Sequence, residues 1–419
     1  MSWCSSQLPE ELICEVLARL PAKSVQRFRC VSRSWKTLIG SNYFITLHLK
    51  ASKAKGSGDK PTILLLTESD GGRIYSTSSP VIHLVDVDSP PGSNQMRSTW
   101  LKPDPRLGRR ISEIQGCYNG LVCLKEGYYG NLLLWNPTIR KYWELPVPIA
   151  DEDPLHHLKR MCGFGYDDVE DDHKIVRVVE YYVDYFASPT KQSVQLYSTR
   201  SNSWRRLPQF PYFVGKYSVL SGVANTVNHA LHWIMEEDGN RFVILAFDLR
   251  TETIRMVPPP PPPPDQGHQP PPSSAHDDYV GEIYDVVVPF KTTSLGVLDD
   301  RLCVMYFHVE PMLSLWIMEE YGVKDSWTKR IILTAPPNFD LSEMSFLVLL
   351  PYSGSYDKRS TQIYFYDYMF IYCYDTNTHA ARRSIPQPPF ACDPKSSDIR
   401  INAFPFISSL VNPFPTSRE

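Results

Sequence analysis

The residue types that can do chemistry are present in this sequence, but their spacing does not bring them together. His156 and His157 are adjacent, so they cannot share one helix face in the way a metal-binding histidine pair does. The segment DDVEDDHK, 167–174, carries Asp167, Asp168, Glu170, Asp171 and Asp172, yet it lacks the glycine and closing glutamate of a calcium loop. It reads as a solvated loop between strands. GFGY at 163–166 is not a phosphate loop, because no helix pattern follows it and the third glycine is missing. There is no G-x-S-x-G elbow, and the nine cysteines are odd in number and contain no C-x-x-C, so neither a disulfide framework nor a zinc site is indicated. No catalytic constellation, metal or cofactor is expected.

Charge narrows the classes further. The net charge of −3 excludes a generally basic nucleic-acid binder, because phosphate binding needs a concentrated positive surface. Residues 1–50, however, hold seven Lys or Arg against three acids, a balance of +4 that leaves −7 for the rest. A basic head on an acidic body calls for an acidic partner. No apolar stretch approaches the 18 or so residues that span a bilayer, and no secretory leader is visible, so no membrane association is expected. The expected location is intracellular, cytoplasmic and/or nuclear.

The head reads as three short helices. Leu12, Ile13, Val16, Leu17 and Leu20 form one stripe at a 3.6 period, with Pro9 in the first turn, Glu10 and Glu11 favoured by the helix dipole, and Pro21 as the stop. Val25, Phe28 and Val31 mark a second helix. The third runs from Ser32 as N-cap through Trp35, Leu38 and Ile39 to Gly40 as C-cap. Three such helices have more apolar face than they can cover among themselves, which leaves some for a partner.

From Pro61 the pattern changes to short apolar or alternating runs bounded by turns, and a repeat appears. NPTIRKYWELP (136–146), STRSNSWRRLP (198–208) and DLRTETIRMVP (248–258) align without gaps as a polar turn, an apolar seventh position, an aliphatic tenth and a proline. DTNTHAARRSIP (375–386) matches with one extra residue and YGVKDSWTKRI (321–331) more loosely. Tight turns at NGLVCL (119), NHALHWI (228) and DDRLCVM (299) precede further strands, and Asn-Gly demands positive φ at both residues. Antiparallel units of about 40–60 residues stack radially as propeller blades, about six to eight over 61–410. Trp135, Trp143, Trp204, Trp233, Trp316 and Trp327 recur with the unit and are expected in the core between blades. Seven consecutive prolines at 258–264, with the bias continuing to 272, read as an enlarged connection between blades, either a tolerated insertion or a polyproline ligand.

Residues 8–39, LPEELICEVLARLPAKSVQRFRCVSRSWKTLI, closely resemble the F-box, through the Leu-Pro opening, the LP-x-KSV middle and the C-V-S-x-x-W end. The strands that follow, with NGLVCL…LLLWNPTIRKYWELP and GFGYDD…KIVRVV, are similar to the F-box-associated, kelch-like interaction domain of plant F-box proteins. The resemblance implies a mainly β chain made of a three-helix F-box (1–47), a linker (48–60), a β-propeller (61–410) and a tail (411–419). It further implies a non-enzymatic receptor of a Skp/cullin/F-box ubiquitin ligase, with the F-box on a Skp-type adaptor and the propeller on an unknown target protein. The adaptor-facing residues it implies are Leu8, Pro9, Ile13, Leu17, Leu20, Val25, Val31, Ser32 and Trp35, while Leu12, Val16 and Phe28 would pack internally. Two alternatives remain: a propeller enzyme of the sugar oxidase or hydrolase type, and an F-box scaffold that does not assemble with a cullin.

Overall fold

A computed structural model describes residues 9–53, 62–69, 81–86, 97–101, 111–127, 131–149, 157–182, 191–210, 224–237, 241–261, 293–307, 312–334, 348–349, 362–366, 371–375, 380–384 and 399–414. Leu8, His156, residues 54–60 of the expected linker, the proline-rich segment beyond Pro261 and the tail beyond Phe414 lie outside the described residues.

The head contains four helices rather than three: α1 (Glu10–Ala18), α2 (Ala22–Phe28), α3 (Arg33–Gly40) and α4 (Asn42–Lys53). Pro9 is the N-cap of α1 rather than part of its first turn, and its carbonyl accepts from Leu12 N and Ile13 N. Pro21 serves α2 as N-cap rather than merely ending α1, because its fixed φ of −54° suits the entry to a helix. Ser32 caps α3 as expected, its Oγ accepting from Trp35 N at 3.1 Å. Gly40 is still helical and Ser41 follows as the C-cap, so α4 starts almost at once and runs into the segment read as linker. Phe44 and His48 of α4 are fully buried, and His48 Nε2 donates to Leu20 O at 2.9 Å.

The remaining described strands form six four-stranded antiparallel sheets. Sheet 2 is β4 (Ile111–Tyr118), β5 (Leu121–Glu126), β6 (Asn131–Asn136) and β7 (Lys141–Glu144). Sheet 3 is β8 (His157–Asp167), β9 (Asp172–Tyr182), β10 (Lys191–Ser198) and β11 (Ser203–Leu207). Sheet 4 is β12 (Asn225–Val227), β13 (Ala230–Glu237), β14 (Arg241–Asp248) and β15 (Ile254–Val257). Sheet 5 is β16 (Thr293–Leu298), β17 (Arg301–Phe307), β18 (Met312–Met318) and β19 (Trp327–Thr334). Sheet 6 is β20 (Val348–Leu349), β21 (Gln362–Tyr366), β22 (Ile371–Asp375) and β23 (Ala380–Ser384).

Sheet 1 departs from this sequential order. Its strands β1 (Thr62–Ser69), β2 (Val81–Asp86) and β3 (Arg97–Leu101) are completed by β24 (Ile399–Phe406), which pairs antiparallel with β1 from Thr62↔Phe406 to Ser69↔Ile399. Consecutive sheets touch through their first strands, β24 against β4, β4 against β8, β8 against β12, β12 against β16 and β16 against β20. This is the radial stacking of a β-propeller, closed by a strand distant in sequence.

The repeat has a physical basis. Its first residue caps its own turn: Asn136 Oδ1 accepts from Thr138 N and Ile139 N, and Asp248 Oδ1 from Arg250 N and Thr251 N. Its fifth residue is left-handed in all three aligned copies, Arg140 (φ 56°), Asn202 (51°) and Glu252 (57°). Where position seven is tryptophan, it reaches the previous copy's proline, Trp204 Nε1 donating to Pro146 O at 2.7 Å and Trp327 Nε1 to Pro258 O at 2.8 Å. The six repeat tryptophans lie within or against the cores between sheets, as expected.

Gly163 and Gly165 are strand residues of β8, and a Cβ at Gly163 would stand 2.7 Å from Leu231 and 2.8 Å from Trp233. Their role is close approach between sheets 3 and 4. The acidic run is not a simple solvated loop either, because Asp167 and Asp172 are buried. Asp167 Oδ1 caps Val169 N and Glu170 N, while Asp172 Oδ1 accepts from Thr199 Oγ1 and Arg200 N.

Candidate functional site

The site implied by the sequence is the outer surface of the helical head, and the structure redistributes its residues. The apolar stripe of α1 is about 140° wide at 100° per residue, wider than the head's own core can take. Ile13, Leu17 and Leu20 turn inward, and Leu12 (48% exposed) and Val16 (62%) turn outward. Leu17 and Val25, expected to face the adaptor, are fully buried among Cys14, Ala18, Ala22, Ile39 and Phe44, which corrects that expectation. Leu12 and Val16, expected inside, are corrected in the opposite sense.

The other implied residues divide as follows. Pro9 and Ser32 are exposed, and Val31 is 61% exposed. Ile13, Leu20 and Trp35 are half-buried against the head core, Trp35 meeting Phe28 edge-on with ring centroids 5.9 Å apart. Phe28 thus packs internally, as expected. The described outward apolar residues are Leu12, Val16, Val31 and Tyr43, on a head that also carries Arg19, Lys23, Arg27, Arg33 and Lys36. The usable sequence signal for Leu12 and Val16 was the width of the stripe. Tyr43 had none, because α4 itself was not anticipated.

The Cys14 thiol has its pKa raised by burial and by Glu10 and Glu11, which makes it a poor nucleophile. Among the described residues no group of His, Cys, Asp or Glu is placed to hold a metal ion, and no described helix is long and apolar enough to cross a membrane.

The head sits on one particular face of the propeller. Its core includes Ile139, from the turn between β6 and β7, and Leu410, just beyond β24. Lys53, at the end of α4, lies over the Tyr118 ring at 4.9 Å, where desolvation lowers its pKa against the opposing influence of Asp300. Strand direction places the turns at 119–120, 168–171, 228–229 and 299–300 on this same face. The strand ends flanking 102–110, 183–190, 211–223, 262–292, 308–311 and 335–347 all lie on the opposite face. The proline run leaves there too, and its first residues are already engaged, Pro258 O with Trp327 and Pro260 O with the Tyr306 hydroxyl.

The model of the F-box-associated β-propeller domain matches residues 65–367, and that of the F-box domain matches residues 5–47. The chain belongs to the F-box-associated β-propeller family. Similar proteins include an F-box/kelch-repeat protein of Arabidopsis thaliana, 27% identical over 339 residues that cover 79% of this chain and 81% of that one. The F-box protein CPR1 of the same plant is 27% identical over 368 residues, 84% of this chain and 78% of that one. The term kelch belongs to the first relative's name. An N-terminal F-box followed by a propeller is the architecture of substrate adaptors, and the F-box implies a Skp-type adaptor as partner.

Proposed function

We infer that this protein is a substrate receptor of a Skp/cullin/F-box ubiquitin ligase and makes no bonds itself, its role being to hold a target near partner subunits. The observation that carries the reading is the outward placement of Leu12, Val16 and Val31 on a basic head seated on one propeller face. Burying a large aliphatic side chain contributes roughly 1.5–3 kcal/mol, and the surrounding cations suit an acidic adaptor. Pro9, Ile13, Leu20, Ser32 and Trp35 border this surface and complete the proposed contact. The target would be held on the opposite face, where the connections vary most in length and where binding loops are best supported by a rigid scaffold. An intracellular location, cytoplasmic or nuclear, follows from the partners.

The test is co-purification of the full chain with a Skp-type adaptor and cullin. Leu12→Glu combined with Val16→Glu should abolish adaptor recovery without changing the urea midpoint, since both residues face solvent. Undiminished adaptor recovery by the folded double variant would overturn the assignment. Recovery of adaptor without cullin from the wild type would favour the scaffold reading instead.

A further inference from the structure

We propose that residues 407–414 act as a coupling strap that fixes the F-box on the propeller, so that the adaptor-binding surface and the opposite face keep one orientation. The inference rests on the receptor reading only for what that orientation serves. The contacts themselves are independent of it.

The strap begins where β24 ends and crosses the turn face. Asn136, fully buried, gives its side-chain amide to Ser409 O at 3.1 Å and Val411 O at 2.7 Å, with Ser409 Oγ at 3.3 Å. Its Oδ1 meanwhile caps the β6–β7 turn, so one side chain ties the strap to the turn that carries Ile139. The passage is narrow. Gly120 has φ +75°, and a Cβ there would lie 2.6 Å from Ile407 O. Farther along, Phe414 meets Trp143 edge-on with ring centroids 5.5 Å apart and lies under the Lys141 ammonium.

Between these anchors Leu410 leaves the propeller and enters the head, 5% exposed among Leu17, Val25, Ile39 and Phe44. A segment bonded to the propeller by its backbone and to the head by its side chain transmits position between the two. It also supplies part of the apolar surface that the short helices could not bury among themselves. Leu410 and Asn136 are positioning residues in this scheme.

Hydrogen exchange of the full chain with bound adaptor, wild type against Leu410→Asp, tests the coupling. The expected result is at least tenfold faster exchange of α4 amides, a broader small-angle scattering distance distribution, unchanged exchange in β9 and β10, and unchanged adaptor recovery. Exchange of α4 within threefold of wild type with an unchanged distribution would overturn the proposal. Equal loosening of β9, β10 and α4 would overturn it as well, because the strap would then be ordinary propeller core. Should Leu410→Asp fail to fold, Leu410→Ala and Asn136→Ala provide the same readouts under the same criteria. Loss of adaptor binding by Leu12→Glu with Val16→Glu is a separate measurement, so failure of the receptor reading and failure of the strap are distinguishable.

Discussion

The two faces of the propeller obey different rules. On the face that carries the head, the described turns are short and each is fixed by specific atoms. Asn119–Gly120, Asn228–His229 and Asp299–Asp300 have positive φ at both residues, the geometry that keeps two twisted strands in register. Behind them Lys174 donates to Asp167 (2.8 Å), Glu252 (3.1 Å) and Leu249 O (2.8 Å), tying sheet 3 to sheet 4. On the opposite face the strand ends are separated by spans as short as 238–240 and as long as 262–292. The lesson is that the described turns of the head-bearing face are conformationally determined, whereas on the other face the sheets accept connections of very different length.

The contrast can be broken most severely at Lys174. Lys174→Met would strand the fully buried Asp167 carboxylate without its cation, and urea unfolding should show a loss of about 3–5 kcal/mol. Gly120→Ala comes next, because it combines left-handed backbone with collision against the strap. A cost of about 2–3 kcal/mol in the same assay is expected, and a neutral result would mean that the turn face tolerates side chains after all.

Acid should weaken the same face. His232, buried between Asn225 O and the Tyr321 hydroxyl, has its pKa lowered to about 4 by burial, against 6.5 in the unfolded chain. Its folded-state value is depressed, so the unfolded state binds the proton first. Stability is full above pH 6.5 and falls as pH drops toward 4, with a slope of up to about 1.4 kcal/mol per pH unit. His173, also lowered to about 4 by burial, adds in the same direction. Below that window the depressed pKa values of Asp167 and Glu252 extend the loss. Urea midpoints from pH 7 to 5 check this, and His232→Asn should flatten the slope by about one proton.

The smallest effect sharpens the comparison from the other side. Six Gly-Ser residues inserted after Asp238, on the variable face, should cost less than about 1 kcal/mol, because loop-closure entropy grows slowly with length. The same insertion between Asn228 and His229 should cost several times more. Similar costs at the two places, measured by urea unfolding, would remove the distinction between the faces.

Much of this division was legible in the residues. Asn-Gly at 119–120 fixed one turn, and the aligned copies at 136, 198 and 248 located sheet edges whose capping first residue and left-handed fifth position recur, with a proline-bound tryptophan at position seven in the copies at 198 and 321. Three features were not legible, for physical reasons. Periodicity gives the width of an apolar stripe but not which edge finds an intramolecular partner, so Leu17 and Leu12 exchanged roles. Residues 42–53 lack a clean stripe because α4 is buried through Phe44, His48 and Ser52, which are mixed in polarity. The acidic run looked solvated because its composition does not show that Asp167 and Asp172 each serve a turn and a neighbour.

The pairing of β24 with β1 has a consequence in the order of synthesis. A ribosome delivers residues 10–53 and β1 early, while β24 and Leu410 emerge only after more than 300 further residues, a delay on the order of tens of seconds. During that interval β1 lacks one of its two partner strands and the head lacks Leu410. Chains cut short by a premature stop would keep the whole F-box sequence yet never supply β24 and Leu410, so the seating of the head through Leu410 reports that the intervening sheets have been made.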